Sequence, residues 1–485
     1  MGRRYVTTAI PYVNAEPHLG YALELVQADV LARQARRAGH EARLLTGTDD
    51  NALKNVIAAR AAGVDTRTFV DRNAASFAAL AGPLQVAYDD FVRTSADQRH
   101  ADGVARLWTA CAERGDFYRR AYSGLYCGGC EQFYAPADLV DGVCPEHGVV
   151  PEPVTETNWF FRLSRYQDAV LAAIESGRVR VEPPARRNEV LAFLRCGLDD
   201  ISVSRPAARS GGWGIPVPGD PDQTVYVWWD ALGNYVTALG QDSPLYRHWW
   251  AESDERIHII GKGIVRFHAV YWLALLLSAG LPLPTTILVH DYITLHGAKI
   301  SKSAGTGVEP LQLVGRYGTD AVRWWLLRDV ARLGDTDFTT GRLVDRADRD
   351  LANGFGNLIH RTTTLVRRHF GATPPPAVAG GPLTEAIGSL PEQVSRALDI
   401  GDFRSATRAL CSAVEEANRH IDATRPWQLG DRDSAAKSAV LADLLAACRL
   451  IAGELTPFLP EGAARLQSQC DGERTAPAFP RVVEP

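Results

Sequence analysis

Apolar and polar positions along the first fifty residues follow two different spacings. Residues 5–10, Tyr-Val-Thr-Thr-Ala-Ile, form a short, nearly continuous apolar run, which predicts a buried strand. After a turn at Gly20, Leu23, Val26, Val30 and Leu31 recur at helical spacing, and Gly39 is placed to stop the helix. Residues 41–50, EARLLTGTDD, read as a second strand running into a polar turn. Strand, helix and strand in that order predict a βαβ unit and a parallel sheet, with ligands at the carboxyl ends of its strands. Both PHLG (residues 17–20) and TGTDD (residues 46–50) fall at such ends.

Farther along, residues 125–149 lose periodicity and become rich in Gly and Cys, as an insertion would. Residues 224–236 and 257–272 resume a strand–loop–helix pattern, and residues 285–305 predict one more strand followed by a polar loop. The longest apolar stretch, residues 269–284, ends in Gly and Pro, falls short of the roughly 18 residues of a membrane span, and reads as a buried helix. Beyond Leu343 strands disappear, and helical periodicity to about Leu466 predicts a bundle interrupted by a loop at residues 371–382. The tail, residues 470–485, reads as loosely structured. There are no internal repeats.

Composition narrows this picture. With 485 residues, 46% apolar and 22% charged, the chain is an ordinary globular protein of about three domains. A net charge of −5 argues against a general nucleic-acid binder but leaves room for a local basic face. The start, MGRRYVTTAI, runs into a strand rather than a signal-peptide apolar region, so a cytoplasmic location without membrane contact is expected. Five of the 52 lysine-plus-arginine positions are lysine (Lys54, Lys262, Lys299, Lys302 and Lys437), so each retained lysine carries unusual weight. Of the eight cysteines, Cys111, Cys196, Cys411, Cys448 and Cys470 are scattered and read as ordinary thiols; the other three share one short segment.

Three motifs carry chemistry. KISKS (residues 299–303) places two lysines in a Gly-bounded loop, where flexible ammonium groups can follow charge onto a leaving pyrophosphate; the alternative is a solvated loop. PHLG offers an imidazole, His18, at a helix start that favours anions, and Gly20 permits close backbone approach. Taken alone His-x-Gly is commonplace, but the two motifs explain each other. CGGC (residues 127–130) and CPEH (residues 144–147) give a Cys-x₂-Cys and Cys-x₂-His set suited to tetrahedral zinc through Cys127, Cys130, Cys144 and His147; the alternative is free cysteines in a Gly-rich loop.

With these motifs, and with the strings LTGTD, YDDFVRTS, NWFFRLSRYQD, VYVWWDAL, GIVRFH and NRHIDATRPW, the chain resembles the class I aminoacyl-tRNA synthetases, and among them the methionyl-tRNA synthetases, over nearly its whole length. The resemblance implies an α/β fold: a Rossmann-type parallel-sheet catalytic domain with a zinc-knuckle insertion, then an α-helical anticodon-binding bundle. The implied boundaries are 1–115 and 206–290 for the catalytic halves and 116–205 for the insertion. Residues 291–343 would form the KMSKS-type loop and stem-contact region, 344–470 the anticodon-binding domain and 471–485 the tail. The implied activity is ATP-dependent activation of methionine followed by transfer to methionine tRNA, with Mg2+ and a structural Zn2+. By the same resemblance His18, Lys299, Lys302 and Tyr21 are catalytic. Pro17, Gly20, Gly261, Lys262, Gly263, Asp291, Ser301 and Ser303 bind ATP. Asp49 receives the substrate ammonium. Ile10, Tyr12, Trp228, Ala231, Tyr235, Ile264, His268 and Trp272 form the methionine wall. Asn357, Arg361 and Trp427 recognise the anticodon, with Arg367, Arg368 and His369 as a basic patch nearby. A monomer is expected.

The chain departs from the family pattern in four places, all near the expected nucleotide. Tyr21 replaces the second His of the first motif, Asn51-Ala52 replaces His-Gly, Gly263 replaces an Asp, and Asp291 replaces a Gly. The expectation is a divergent second copy with retuned nucleotide handling, in which Asp291 makes the ribose contact that Gly263 cannot. Two other readings compete. One is a tRNA-independent biosynthetic ligase that adenylates an amino acid, against which Asn357, Arg361 and Trp427 argue. The other is a non-catalytic tRNA-binding paralogue, against which the KISKS lysines argue.

Overall fold

A computed structural model describes residues 2–127, 132–145, 148–300, 308–371, 380–430 and 434–482. The chain forms two compact units. The first comprises Met1–Pro17, Gly39–Ala81 and Ala87–His290; the second comprises His18–Ala38, Gly82–Val86 and Asp291–Pro485.

The first unit is organised by a six-stranded sheet: β1 (Arg3–Thr8), β2 (Glu41–Thr48), β3 (Asp90–Arg93), β4 (Arg180–Glu182), β5 (Glu255–Gly261) and β6 (Thr286–His290). Their order is β3-β2-β1-β5-β6-β4, and every pairing is parallel. From Tyr5 to Thr8 β1 is buried on both faces, as a central parallel strand requires, which accounts for a run without charged residues. The chain leaves β1 toward β2 on one side and only later supplies β5 on the other. The sheet therefore changes winding direction between β1 and β5, where open α/β sheets bind ligands at the strands' carboxyl ends.

Within the 116–205 stretch, Phe117–Cys127, Glu152–Phe161, Gln132–Tyr134 and Ile201–Ser202 form an antiparallel sheet, whereas β4 returns to edge the parallel one. Aromatic packing joins this stretch to the helices behind the site. Trp108 stacks on Phe117 at 4.2 Å, and Phe161 meets Trp229 edge-on at 5.1 Å. The expected buried helix is present as a wide turn, Phe267–Trp272, continuing into Leu273–Ala279, with Leu273, Ala274 and Leu276 wholly buried. Among the described residues no helix is long and apolar enough to cross a membrane.

The second unit is mainly helical. Thr319–Arg328, Asn357–Phe370, Phe403–Thr424, Ser434–Leu455 and Pro460–Cys470 enclose a core containing Trp324, Trp325, Phe355 and Phe458. Arg323, fully buried, donates to Asp29 Oδ2 at 2.8 Å and to the carbonyls of Leu84 and Phe458, each at 2.8 Å. One guanidinium thus ties the helix Leu19–Arg37, residues 82–86 and the turn before the last helix together.

Two expectations are corrected here. The polar loop after β6 contains a small sheet: β7 (Ile293–Leu295) pairs antiparallel with β8 (Ala298–Lys299) and parallel with β9 (Thr336–Asp337). The tail is anchored rather than loose. Phe479 is 5% exposed, Arg465 donates to the Ala478 carbonyl at 2.9 Å, and the Val482 N–H donates to Asp348 at 2.8 Å. Residues 372–379 of the expected bundle loop lie outside the described residues.

Candidate functional site

His18 is the N-cap of the helix Leu19–Arg37, with φ −118° and ψ 172°. Its Nδ1 accepts the Gly20 N–H at 3.1 Å. In the neutral ring the proton therefore sits on Nε2, leaving an N–H donor on an exposed side chain at the helix N-terminus, where an anion is favoured. Gly20 is required by this arrangement, because a Cβ there would stand 2.9 Å from His18 Cε1. Pro17 is buried, and Tyr21, at the position of the missing second His, is 5% exposed.

The residues expected to form the amino-acid pocket lie in the first unit, past β1 and β2 and on the helices that follow. Past β1, Tyr12 bridges to Asp49 at the end of β2, and the Asp49 N–H donates to the Pro11 carbonyl at 2.9 Å. Asp49 is 2% exposed, and its Oδ1 accepts the Asn51 N–H at 3.2 Å. Tyr12 meets Trp228 edge-on at 6.2 Å, and Trp228 stacks on Phe267 at 3.7 Å. Ala231 and Tyr235 follow on the helix Val227–Thr237; Ile264 ends the short helix Lys262–Ile264 that leaves β5, with Gly263 exposed. Ile10 and Ile264 both pack against the core of this unit.

Behind this wall lies a chain of buried polar groups. Tyr235 Oη is 2.7 Å from His268 Nε2, whose Nδ1 is 3.0 Å from the Ile264 carbonyl. Trp272 Nε1 donates to His258 Nε2 at 3.1 Å, and His258 Nδ1 is 2.6 Å from Thr7 Oγ1. Tyr235 stacks on His258 at 4.1 Å. Burial lowers the His268 pKa to about 4 and drives that of His258 well below the ordinary histidine value. The wall is therefore neutral at physiological pH and suits an uncharged side chain. Trp272 is wholly buried and supports His258 from behind.

Sequence reasoning missed Phe267, His258, Asp230 and His100. Asn51 Nδ2 donates to Asp230 Oδ2 at 2.8 Å, and Asp230 Oδ1 accepts from His100 Nε2 at 2.7 Å. Phe267 and Asp230 lie inside quoted strings, but nothing in a string marks which side chain faces which. Asp291 is 1% exposed, and its carboxylate accepts the Gly334 N–H. Ser301, Lys302, Ser303, Cys130 and His147 lie outside the described residues; of Lys299 only its place in β8 is described. Cys127 and Cys144, 1% and 0% exposed, pack in one cluster with Tyr134, a compact pair of soft donors. Among the described residues no group of three or more His, Cys, Asp or Glu side chains could hold a metal.

In the second unit Asn357 and Arg361 lie one turn apart on the helix Asn357–Phe370. Trp427, 47% exposed, follows the left-handed Arg425 that ends the helix Phe403–Thr424. Of the basic run, Arg367 donates to the Gly472 carbonyl at 3.2 Å and His369 pairs with Ser438 at 2.8 Å.

A parallel sheet that reverses its winding between β1 and β5 defines the Rossmann-type α/β class, whose members bind ligands at the carboxyl ends of the strands. Residues 4–150 and 135–363 match the family described as tRNA synthetases class I (M). Methionine–tRNA ligase of Caldanaerobacter subterraneus subsp. tengcongensis is 38% identical over 475 residues, 96% of this chain and 73% of that one. Methionine–tRNA ligase of Brucella suis biovar 1 is 38% identical over 470 residues, 95% of this chain and 90% of that one. The solved Mycobacterium tuberculosis methionyl-tRNA synthetase in complex with methionyl-adenylate superimposes with a TM-score of 0.90 at 36% identity, covering 96% of this chain and 93% of that one. The chain belongs to the class I tRNA synthetases of the (M) family and is an aminoacyl-tRNA ligase.

Proposed function

We propose that the chain is a methionine–tRNA ligase. A methionine carboxylate oxygen attacks the α-phosphorus of ATP, the bond to the β-phosphate breaks, and pyrophosphate leaves. The terminal ribose hydroxyl of tRNA then attacks the carbonyl carbon of the adenylate, and AMP leaves. The first step depends on alignment and on stabilising charge on the phosphates. His18 Nε2–H donates to the α-phosphate, and Lys299 and Lys302 neutralise the outgoing pyrophosphate. Magnesium bound with the nucleotide adds positive charge there. Pro17, Gly20, Gly261, Lys262 and Gly263 contribute to the nucleotide pocket.

The observations that carry this reading are the neutral Tyr235–His268 pair and the buried carboxylate of Asp49, which is bridged to Tyr12. Asp49 would take the substrate ammonium, while aromatic rings and neutral imidazole enclose an unbranched thioether. Asn357, Arg361 and Trp427 read unpaired anticodon bases by amide and guanidinium hydrogen bonds and by stacking. Cys127, Cys130, Cys144 and His147 would be the donors for a structural zinc, a reading supported by the packing of buried Cys127 and Cys144 in one cluster. The boundaries at 115, 205, 290, 343 and 470, a cytoplasmic monomer and a divergent second copy complete the reading.

Methionine-dependent exchange of pyrophosphate into ATP, followed by charging of methionine tRNA, tests it. Both are expected. Exchange without charging would establish the tRNA-independent ligase instead, and absence of exchange would sink both enzymes.

A further inference from the structure

The small sheet after β6 is too short to hold itself by its ladder: β7 has three residues and β8 and β9 two each. Aspartates supply what the ladder lacks. The Asp291 carboxylate accepts the Gly334 N–H, and one residue on in each segment Asp335 Oδ1 accepts the Tyr292 N–H at 3.0 Å, a reciprocal pair. Asp337 Oδ1 accepts both the Gly297 N–H at 2.9 Å and the Thr294 hydroxyl at 3.0 Å. The β7–β8 turn needs that support, because His296 and Gly297 both have positive φ, 53° and 75°, and only the glycine adopts it without strain. The hairpin leads into Lys299, which pairs with Thr294, and then into Ile300, 4% exposed.

We propose that Asp291, Asp335 and Asp337 are positioning residues that hold the β7–β8 hairpin, and through it the backbone of Lys299, for the adenylation step. This rests on the ligase reading above. It also accounts for an aspartate at position 291, since a glycine there leaves the Gly334 N–H without this acceptor.

The test compares Asp291→Gly with Asp291→Asn, whose amide oxygen can still accept from Gly334. Asp291→Gly is expected to lower kcat for pyrophosphate exchange by about tenfold to a hundredfold, leave KM for methionine unchanged, and speed hydrogen exchange at the amides of residues 292–299. Asp291→Asn is expected to restore both. Wild-type kcat and amide protection in Asp291→Gly, even with a lowered melting temperature, would overturn the proposal. So would a raised KM for ATP in both variants at unchanged kcat, which would mark a direct nucleotide contact. If the wild-type chain shows no exchange, the ligase reading falls, and amide protection in the two variants still decides whether Asp291 holds the hairpin.

Discussion

The hydroxyl of Tyr235 is the donor in its 2.7 Å bond to His268 Nε2. The opposite ring nitrogen, Nδ1, faces the Ile264 carbonyl at 3.0 Å, and a carbonyl only accepts, so Nδ1 carries the ring proton. Protonating Nε2 would force the Tyr235 hydroxyl to turn from donor to acceptor and would place a positive charge inside a wholly buried site. His258 is fixed in the same way, because Trp272 donates to its Nε2. Both imidazoles are buried neutral, with folded pKa values depressed below those of the unfolded chain.

The sign of the pH dependence follows. Below about pH 6.5 the unfolded chain takes up protons that the folded chain refuses, so each buried imidazole's stabilising effect is complete above that pH and declines as pH falls toward the folded value. At pH 5, with a folded value of about 4 for His268, the loss is about 2 kcal/mol for that ring. Urea unfolding at pH 7 and pH 5 should show this loss in the wild type and a smaller one in His268→Gln. Equal losses would contradict the buried neutral ring. Tyr235→Phe should cost about 1–3 kcal/mol by leaving His268 Nε2 without its donor, and should raise KM for methionine.

Asn51 stands where the family pattern has a histidine, and its side-chain amide is committed within the fold. Nδ2 donates to Asp230 and, at 3.3 Å, to the Thr94 carbonyl; Asp230 is wholly buried. Asn51→Ala deprives that carboxylate of a donor and should lower stability by about 1–3 kcal/mol. KM for ATP in the exchange assay should not change. An ATP effect without a stability loss would return Asn51 to the nucleotide pocket.

Arg323 and Asp29 are both wholly buried, and the guanidinium also satisfies carbonyls from two other segments. Arg323→Met removes a donor from Asp29 and orphans those carbonyls. Asp29 keeps Arg33 at 2.8 Å, which limits the damage. A loss of about 3 kcal/mol, the lower end of what breaking a buried pair costs, is expected in the unfolding free energy measured by denaturant titration. Arg323→Lys should recover little, because one ammonium cannot reproduce the guanidinium fork.

These relationships show where the sequence was readable. β1 and the helix Leu19–Arg37 were legible because burial on both faces, a cap and a stop signal are local properties. The β7–β8–β9 sheet was not: strands of two or three residues have no periodicity, and what holds them is side-chain bonds between segments some 40 residues apart. Phe479 was read as part of a loose tail because Pro, Arg and Glu surround it, yet its ring fits against Gly462 and Gly356, which lack the side chains that would exclude it. The Asn51–Asp230–His100 network joins three parts of the chain, and no single stretch contains its signature.

Trp427 carries the last prediction. A large indole 47% exposed has an apolar face in water, and it follows by two positions the left-handed residue that ends its preceding helix. In the proposed ligase, Asn357 and Arg361, one turn apart on a helix of the same unit, would supply hydrogen bonds to base edges. Stacking a base on an aromatic ring contributes about 1–3 kcal/mol, which is roughly five- to more than a hundredfold in binding. Trp427→Ala should therefore lower kcat/KM for tRNA by about that factor and leave methionine-dependent pyrophosphate exchange at the wild-type rate, since exchange needs no tRNA. The split between the two assays separates recognition from folding: a destabilised chain would lose both. Undiminished charging by Trp427→Ala would mean that this ring does not touch the anticodon.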